Sequence, residues 1–385
     1  MSKKNKNIAY VSVFFSLICL ISCSNSASDT VSSDNEISSD SLHNHFKGLF
    51  RMGAAINEQT ILGFDKQSKE IVTTEFNSIT PENSLKWMYL QPKLNQFDFS
   101  VADKYVQLGL QNNMYIVGHA LVWHSQLADF MQNIQSSTEM NAHVQNHVNT
   151  VVSRYKGKIN AWDVVNEAFN EDGTLRTSVF YNQMGEDYID QVFQWAAKAD
   201  PDADLIYNDY NVYKPSKRAG ILRLVEKLKS NGTKISGVGV QAHWDLNSPS
   251  LQEIEQIILD ISSVGVPVSF TELDISVLPS PWELVGAEVS QNFSELEGDP
   301  KMNPYPNGLP DAIQNQLAKR YEDIFKLFIK HKDKISRVTF WGVMDKHSWL
   351  NDWPIKGRTN YPLLFDRNYQ PKKAYQSVIQ ATTTD

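Results

Sequence analysis

Two glutamates sit where side chains of this type can do covalent chemistry. Glu167 closes the run Trp162-Asp163-Val164-Val165-Asn166-Glu167, and Glu272 lies in Thr271-Glu272-Leu273-Asp274. Both runs are apolar stretches of strand length that finish in polar residues, so each acid is expected at a strand end. One such glutamate is ordinarily solvated or ion-paired. Two that face each other can divide the work of breaking a glycosidic bond. A protonated carboxyl helps the leaving oxygen depart while an ionised one attacks the anomeric carbon. That division requires a donor beside the ionised acid and a raised pKa for its partner.

Something must bring the two acids together. From Leu42 onward, apolar runs at 51–56, 77–81, 114–121, 161–167, 204–209, 236–241, 266–274 and 338–345 alternate with amphipathic segments. The runs are rich in β-branched and aromatic residues, as expected of strands buried on both faces. Helices are predicted between them at 187–199, 217–230, 251–264 and 313–330, with Ser250 as an N-cap and Asn231-Gly232 as a stop. Eight β-then-α units predict an α/β fold, a single-domain (β/α)8 TIM barrel, in preference to an open doubly wound sheet.

In such a barrel the fourth and seventh strands are nearly opposite, so Glu167 and Glu272 face each other across the C-terminal mouth. Asn83, His119, Asn166, Asn208-Asp209, Gln241, His243, Asp274, Trp341 and Asp345 end the same runs. Gln241 and His243 are two apart, so a continuous strand points both the same way. Flat apolar faces for sugar rings come from Trp123, Trp341 and Trp349, and hydroxyl-pairing groups from Glu82, Asn83, Lys86, His119, Gln126 and Gln241. Trp87, Trp195 and Trp244 are assigned to the core. The region 278–307, with its five prolines, reads as a variable surface loop rather than a lid.

In this order the motifs resemble the glycoside hydrolase family 10 xylanases, from about residue 45 to 381. They are Pro81-Glu82-Asn83-Ser84-Leu85-Lys86-Trp87, Gly118-His119-Ala120-Leu121-Val122-Trp123-His124-Ser125-Gln126 and Asp163-Val164-Val165-Asn166-Glu167. Asn208-Asp209-Tyr210-Asn211, Gly239-Val240-Gln241-Ala242-His243, Thr271-Glu272-Leu273-Asp274 and Trp341-Gly342-Val343 follow. The resemblance implies an endo-1,4-β-xylanase that hydrolyses xylan with retention of configuration, Glu167 being the acid/base and Glu272 the nucleophile. It also implies that His243 hydrogen-bonds Glu272 and that Asp274 orients the imidazole. Asn166 is placed to donate to the sugar 2-hydroxyl.

Ser84-Leu85 and Ala242 occupy variable positions of these motifs, and the long loop leaves aglycone preference open. A capture protein using the same cleft has no need of both acids. For a hydrolase of cello-oligosaccharides, Lys86 and Trp341 would crowd a 6-hydroxymethyl group. No cofactor and no metal are expected. His119 and His124 are five apart, on opposite faces of a strand, and His43/His45 lie at the edge of the N-terminal segment.

The 385-residue chain carries 36 basic against 44 acidic residues, a formal charge of −8. Nucleic acid is excluded as a partner, since phosphate binding rests on Lys and Arg; xylan or a xylooligosaccharide is the partner expected. Lys3, Lys4 and Lys6 precede an apolar run at 8–21, too short to span a bilayer. Leu20-Ile21-Ser22-Cys23 then resembles a bacterial lipobox. The expectation is a lipoprotein-type signal peptide at 1–22, a Ser/Asp-rich tether at 23–41 and the catalytic barrel at 42–385. Lipidated Cys23 then anchors the protein to a membrane, extracytoplasmic at the outer membrane or cell surface, the alternative being plain secretion. Cys19 and Cys23 are the only cysteines, so the barrel is expected to fold without a disulfide, as a monomer.

Overall fold

The computed structural model describes residues 41–383. The signal peptide, the lipidated Cys23 and nearly all of the tether lie outside the described residues. Leu42 opens the first helix, Leu42–His45, with its side chain buried and its N–H donating to Glu75 at 2.8 Å.

Among the described residues nine parallel strands follow: β1 (Arg51–Ile56), β2 (Ser78–Pro81), β3 (Tyr115–Trp123), β4 (Ala161–Asn166), β5 (Asp204–Asp209), β6 (Gly237–Val240), β7 (His243–Asp245), β8 (Val268–Ser276) and β9 (Ile335–Phe340). The order β6-β5-β4-β3-β2-β1-β9-β8-β7, with a further β6–β8 pairing, closes the sheet on itself. β6 and β7 both pair with β8, at Val238↔Val268 and His243↔Asp274, and together make one barrel strand in two pieces. The ring therefore has eight staves with helices between them, a (β/α)8 barrel as expected.

The helices cover the outer face because their apolar residues recur at helical spacing. In helix Asp311–Lys330 the buried Leu317, Tyr321, Ile324, Phe325 and Phe328 form one stripe. Phe328 stacks on Phe270 of β8 at 4.0 Å, and Phe325 on Phe340 of β9 at 6.0 Å. Helix Leu251–Ser263 buries Ile254, Ile257, Ile258 and Ile261, and Ser250 with Glu253 completes a capping box at its start. Each such side chain stabilises the fold by about 1.5–3 kcal/mol before entropy is counted.

Most strands differ from the expected runs by a residue or two at an end, and two of the differences have an identifiable cause. The last strand begins at Ile335 instead of 338 and ends at Phe340. Its early part was masked by Arg337, a charged residue that points into the barrel toward Asp163 at 3.7 Å. Gly342, at φ +132°, ends it early. The sixth strand was expected at 236–241 with its alternation carried on to His243, but β6 ends at Val240 and Ala242 at φ +65° separates it from β7. Alternation along a continuous strand therefore does not explain how Gln241 and His243 reach the mouth; the chain turns between them.

Candidate active site

β4 ends at Asn166, and the next residue leaves the strand sharply. Glu167 has φ +57°, a left-handed backbone that costs a side-chain-bearing residue about 1–2 kcal/mol. The turn aims the carboxyl back into the mouth. There Glu167 accepts hydrogen bonds from Trp123 Nε1 at 2.8 Å, Gln241 Nε2 at 2.8 Å and Asn166 Nδ2 at 3.1 Å. It is 3% exposed. Burial first, then the negative charges of Asp209 and Glu272, push its pKa up to about 7, against the pull of the Gln241 and Trp123 donors.

Glu272 lies within β8 and is held differently. Asn208 Nδ2 donates to it at 2.8 Å and His243 Nε2 at 3.2 Å. Burial alone would raise its pKa. The His243 hydrogen bond, then the electrostatic pull of His119 and of His243 and the Asn208 donor, outweigh burial and hold the carboxyl below its usual value. His243 Nδ1 meets Asp274 at 3.0 Å, and Trp349 Nε1 donates to the other Asp274 oxygen at 2.8 Å. Burial disfavours the imidazolium, but Asp274 and Glu272 together raise the His243 pKa to about 10. At neutral pH both ring nitrogens therefore donate.

A bridge of amides joins the two acids. Asn166, which donates to Glu167, accepts from Asn208 at 2.9 Å, and Asn208 in turn donates to Glu272. Thr271 Oγ1 donates to Asn208 Oδ1 at 2.6 Å and so fixes which way that amide points. The two carboxyls are thus part of one buried network, with their pKa values driven in opposite directions.

Both open into a cavity of about 340 Å³. Every residue expected to touch substrate lines it: Glu82, Asn83, Lys86, His119, Trp123, Gln126, Asn166, Gln241, His243, Trp341 and Trp349. Asp274 stands one layer behind. Lys86 Nζ donates to Asn83 at 3.0 Å and lies 5.0 Å from the centre of the Trp123 ring. Burial pushes Lys86 down and Glu82 up, each tempered by the charge of the other. His119 Nδ1 meets Asp163 at 2.9 Å, and its ring sits edge-on to Trp341 at 5.3 Å. Aromatic faces and hydroxyl-pairing groups thus line one cleft with two unlike carboxyls. Such a site is suited to acid-assisted displacement at a sugar carbon.

Several participants carry no signal in the sequence that marks their role. Asn208, a strand-end and motif residue with no role expected of it, is the register partner of Asn166. Ser125 also lines the cavity. Trp353, stacked on Trp349 at 4.4 Å, borders a second cavity that meets the first at His243. The reading of 278–307 as a mere surface loop also needs correction, because Ala287 and Val289 line the main cavity. Between them Glu288 pairs with Arg176 at 2.8 Å. Prolines and polar residues hid this role, since nothing local in such a segment records which surface it lies on.

Residues 41–381 match the model of glycosyl hydrolase family 10. The chain is 42% identical over 336 residues to endo-1,4-β-xylanase A of Xylanibacter ruminicola, covering 86% of this chain and 90% of that protein. It is 38% identical over 346 residues to an endo-1,4-β-xylanase of Geobacillus stearothermophilus, covering 88% and 98% respectively. Among solved structures, a GH10 endoxylanase from a sugarcane soil metagenome superposes with a TM-score of 0.85 at 47% identity, covering 88% of this chain and 99% of the other.

Proposed function

Because the chain belongs to glycosyl hydrolase family 10, we propose that it cleaves β-1,4-xylosidic bonds within xylan, with retention of configuration and with Glu167 and Glu272 as its two reacting carboxyls. The observation that carries this reading is the buried pair itself, joined through Asn166 and Asn208 and biased to opposite protonation states.

In the first step the ionised Glu272 attacks the anomeric carbon. The bond to the leaving oxygen breaks, and that oxygen takes the proton of Glu167, leaving a glycosyl ester on Glu272. Esterification removes the Glu272 charge, one of the influences that raise Glu167, so the Glu167 pKa falls. Glu167 then takes a proton from water as the water oxygen bonds to the anomeric carbon and Glu272 departs as carboxylate. His243, held cationic by Asp274, keeps Glu272 the better leaving group. Asn166 is placed to meet the sugar 2-hydroxyl, a contact that strengthens in the transition state. Lys86 and Trp341 crowd the position of a 6-hydroxymethyl group, favouring xylose over glucose.

Incubation with xylan followed by a reducing-end assay tests the activity. Wild type is expected to release reducing ends and Glu272→Ala, correctly folded, to release none. No release by wild type would instead indicate a glycan-capture protein, and near wild-type turnover by the variant would remove Glu272 from the chemistry.

For the N-terminus we propose lipidation of Cys23, with the barrel displayed outside the cytoplasm. Cys23→Ala should move the protein from the membrane to the soluble fraction; unchanged membrane association would contradict the anchor.

A further inference from the structure

Arg176 lies outside the cavity, yet it holds two elements that form it. Its Nε donates to the main-chain carbonyl of Glu167 at 3.2 Å, its Nη1 pairs with Glu288 at 2.8 Å, and its Nη2 donates to the Tyr210 hydroxyl at 2.9 Å. Tyr210 in turn donates to the same Glu288 oxygen at 3.3 Å. Arg176, Tyr210 and Glu288 thus close a triangle of polar contacts, and the same guanidinium also holds the Glu167 carbonyl.

Each partner bears on the chemistry. The Glu167 carbonyl belongs to the left-handed residue at φ +57°, and a strained backbone persists only where its surroundings hold it. The Glu167 N–H is fixed by the Asn208 carbonyl at 2.9 Å, whereas its own carbonyl, past the end of β4, is gripped by the Arg176 side chain. On the far side, Glu288 sits between Ala287 and Val289, the two residues through which 278–307 reaches the cleft. Its other oxygen accepts from Ser290 N at 3.3 Å and Ser290 Oγ at 2.8 Å, so the carboxylate is fixed from both directions. Although burial opposes it, these donors and Arg176 hold the Glu288 pKa down at about 2, keeping the ion pair intact across the working pH range.

We propose that Arg176 is a positioning residue for proton transfer: it fixes the direction of the Glu167 carboxyl through the Glu167 carbonyl, and it couples that direction to the seating of 278–307 through Glu288. This rests on the reading of Glu167 as acid/base. Breaking the clamp leaves Glu272, Asn208 and His243 in place on their own strands. It loosens the strained turn, so the protonated carboxyl no longer lines up with the leaving oxygen. The loss therefore falls on the step that needs the proton.

Leaving-group dependence isolates that step. A dinitrophenolate departs without protonation, whereas the oxygen of a xylosyl unit does not. For Arg176→Met, kcat/KM on xylotetraose is expected to fall about tenfold or more, a scale set by the sensitivity of proton transfer to misplacement. On a dinitrophenyl β-xylobioside it should fall by about threefold or less. Arg176→Lys should recover only part of the loss, because an ammonium cannot span three acceptors set in a plane. Equal losses on both substrates in a folded Arg176→Met would overturn the proposal. Should that variant not fold, Glu288→Gln decides: a larger loss on xylotetraose supports the clamp, and parallel values or no loss overturn it. Glu167→Ala serves as the reference. If it shows the split and the Arg176 and Glu288 variants do not, the clamp alone falls. If Glu167→Ala itself loses both substrates equally, the acid assignment falls first.

Discussion

Glu167 and Glu272 are the same amino acid in one cavity, and their surroundings give them opposite tendencies. The pH profile should record this. kcat/KM requires Glu272 ionised and Glu167 protonated, so its alkaline limb is expected near 7, where Glu167 loses its proton. His243→Gln keeps a donor but removes a charge, so the Glu272 pKa should rise and the acid limb should move to higher pH; an unmoved limb would mean that the imidazolium does not tune Glu272. Stability has a definite sign as well. The folded Glu167 value of about 7 lies above the ordinary 4.5, so folding takes up a proton. That contribution is complete below pH 4.5 and lost as pH rises to 7, about 3 kcal/mol at most. Glu167→Gln, always neutral, should therefore melt above wild type at pH 8 and close to it at pH 4, as calorimetry would show. The two acids were legible in the sequence because chemistry restricts which residues can serve. Asn208 was not, because an asparagine at a strand end has many ordinary uses, and only the register Asn166↔Asn208 reveals this one.

The barrel strands deliver these side chains, and small residues give them room. A Cβ on Gly239 of β6 would collide with Asn208 Oδ1 and lie 2.9 Å from Thr271 Cγ2. Gly239→Ala should push Asn208 off its bridge, lowering kcat tenfold or more and costing about 1–3 kcal/mol in stability. Wild-type kinetics in that variant would show that the bridge is dispensable. A contrasting change is Ser250→Ala, which removes a helix cap that does not line the catalytic cavity and should cost about 1 kcal/mol in urea melts with kcat unchanged. Strand and helix spacing exposed most of the fold, since apolar period and caps are local signals. The break at Ala242 and the early start of β9 were hidden by tertiary effects. Past the left-handed Ala242, β7 re-forms a pairing with β8, and Arg337 enters the barrel facing Asp163 at 3.7 Å, neither of which is visible in the local sequence.

At the scale of the whole molecule, closure of the sheet turns distant residues into neighbours. Glu167 and Glu272 are separated by over a hundred residues, yet two amides link them. The central claim, that Glu272 attacks the sugar directly while Glu167 moves the proton, fixes the stereochemistry of every turnover. Proton NMR of the anomeric signals during the first minutes of xylan digestion measures it. Two displacements at one carbon predict that new reducing ends appear first as the β-anomer and only later mutarotate. Initial appearance of the α-anomer would contradict the account.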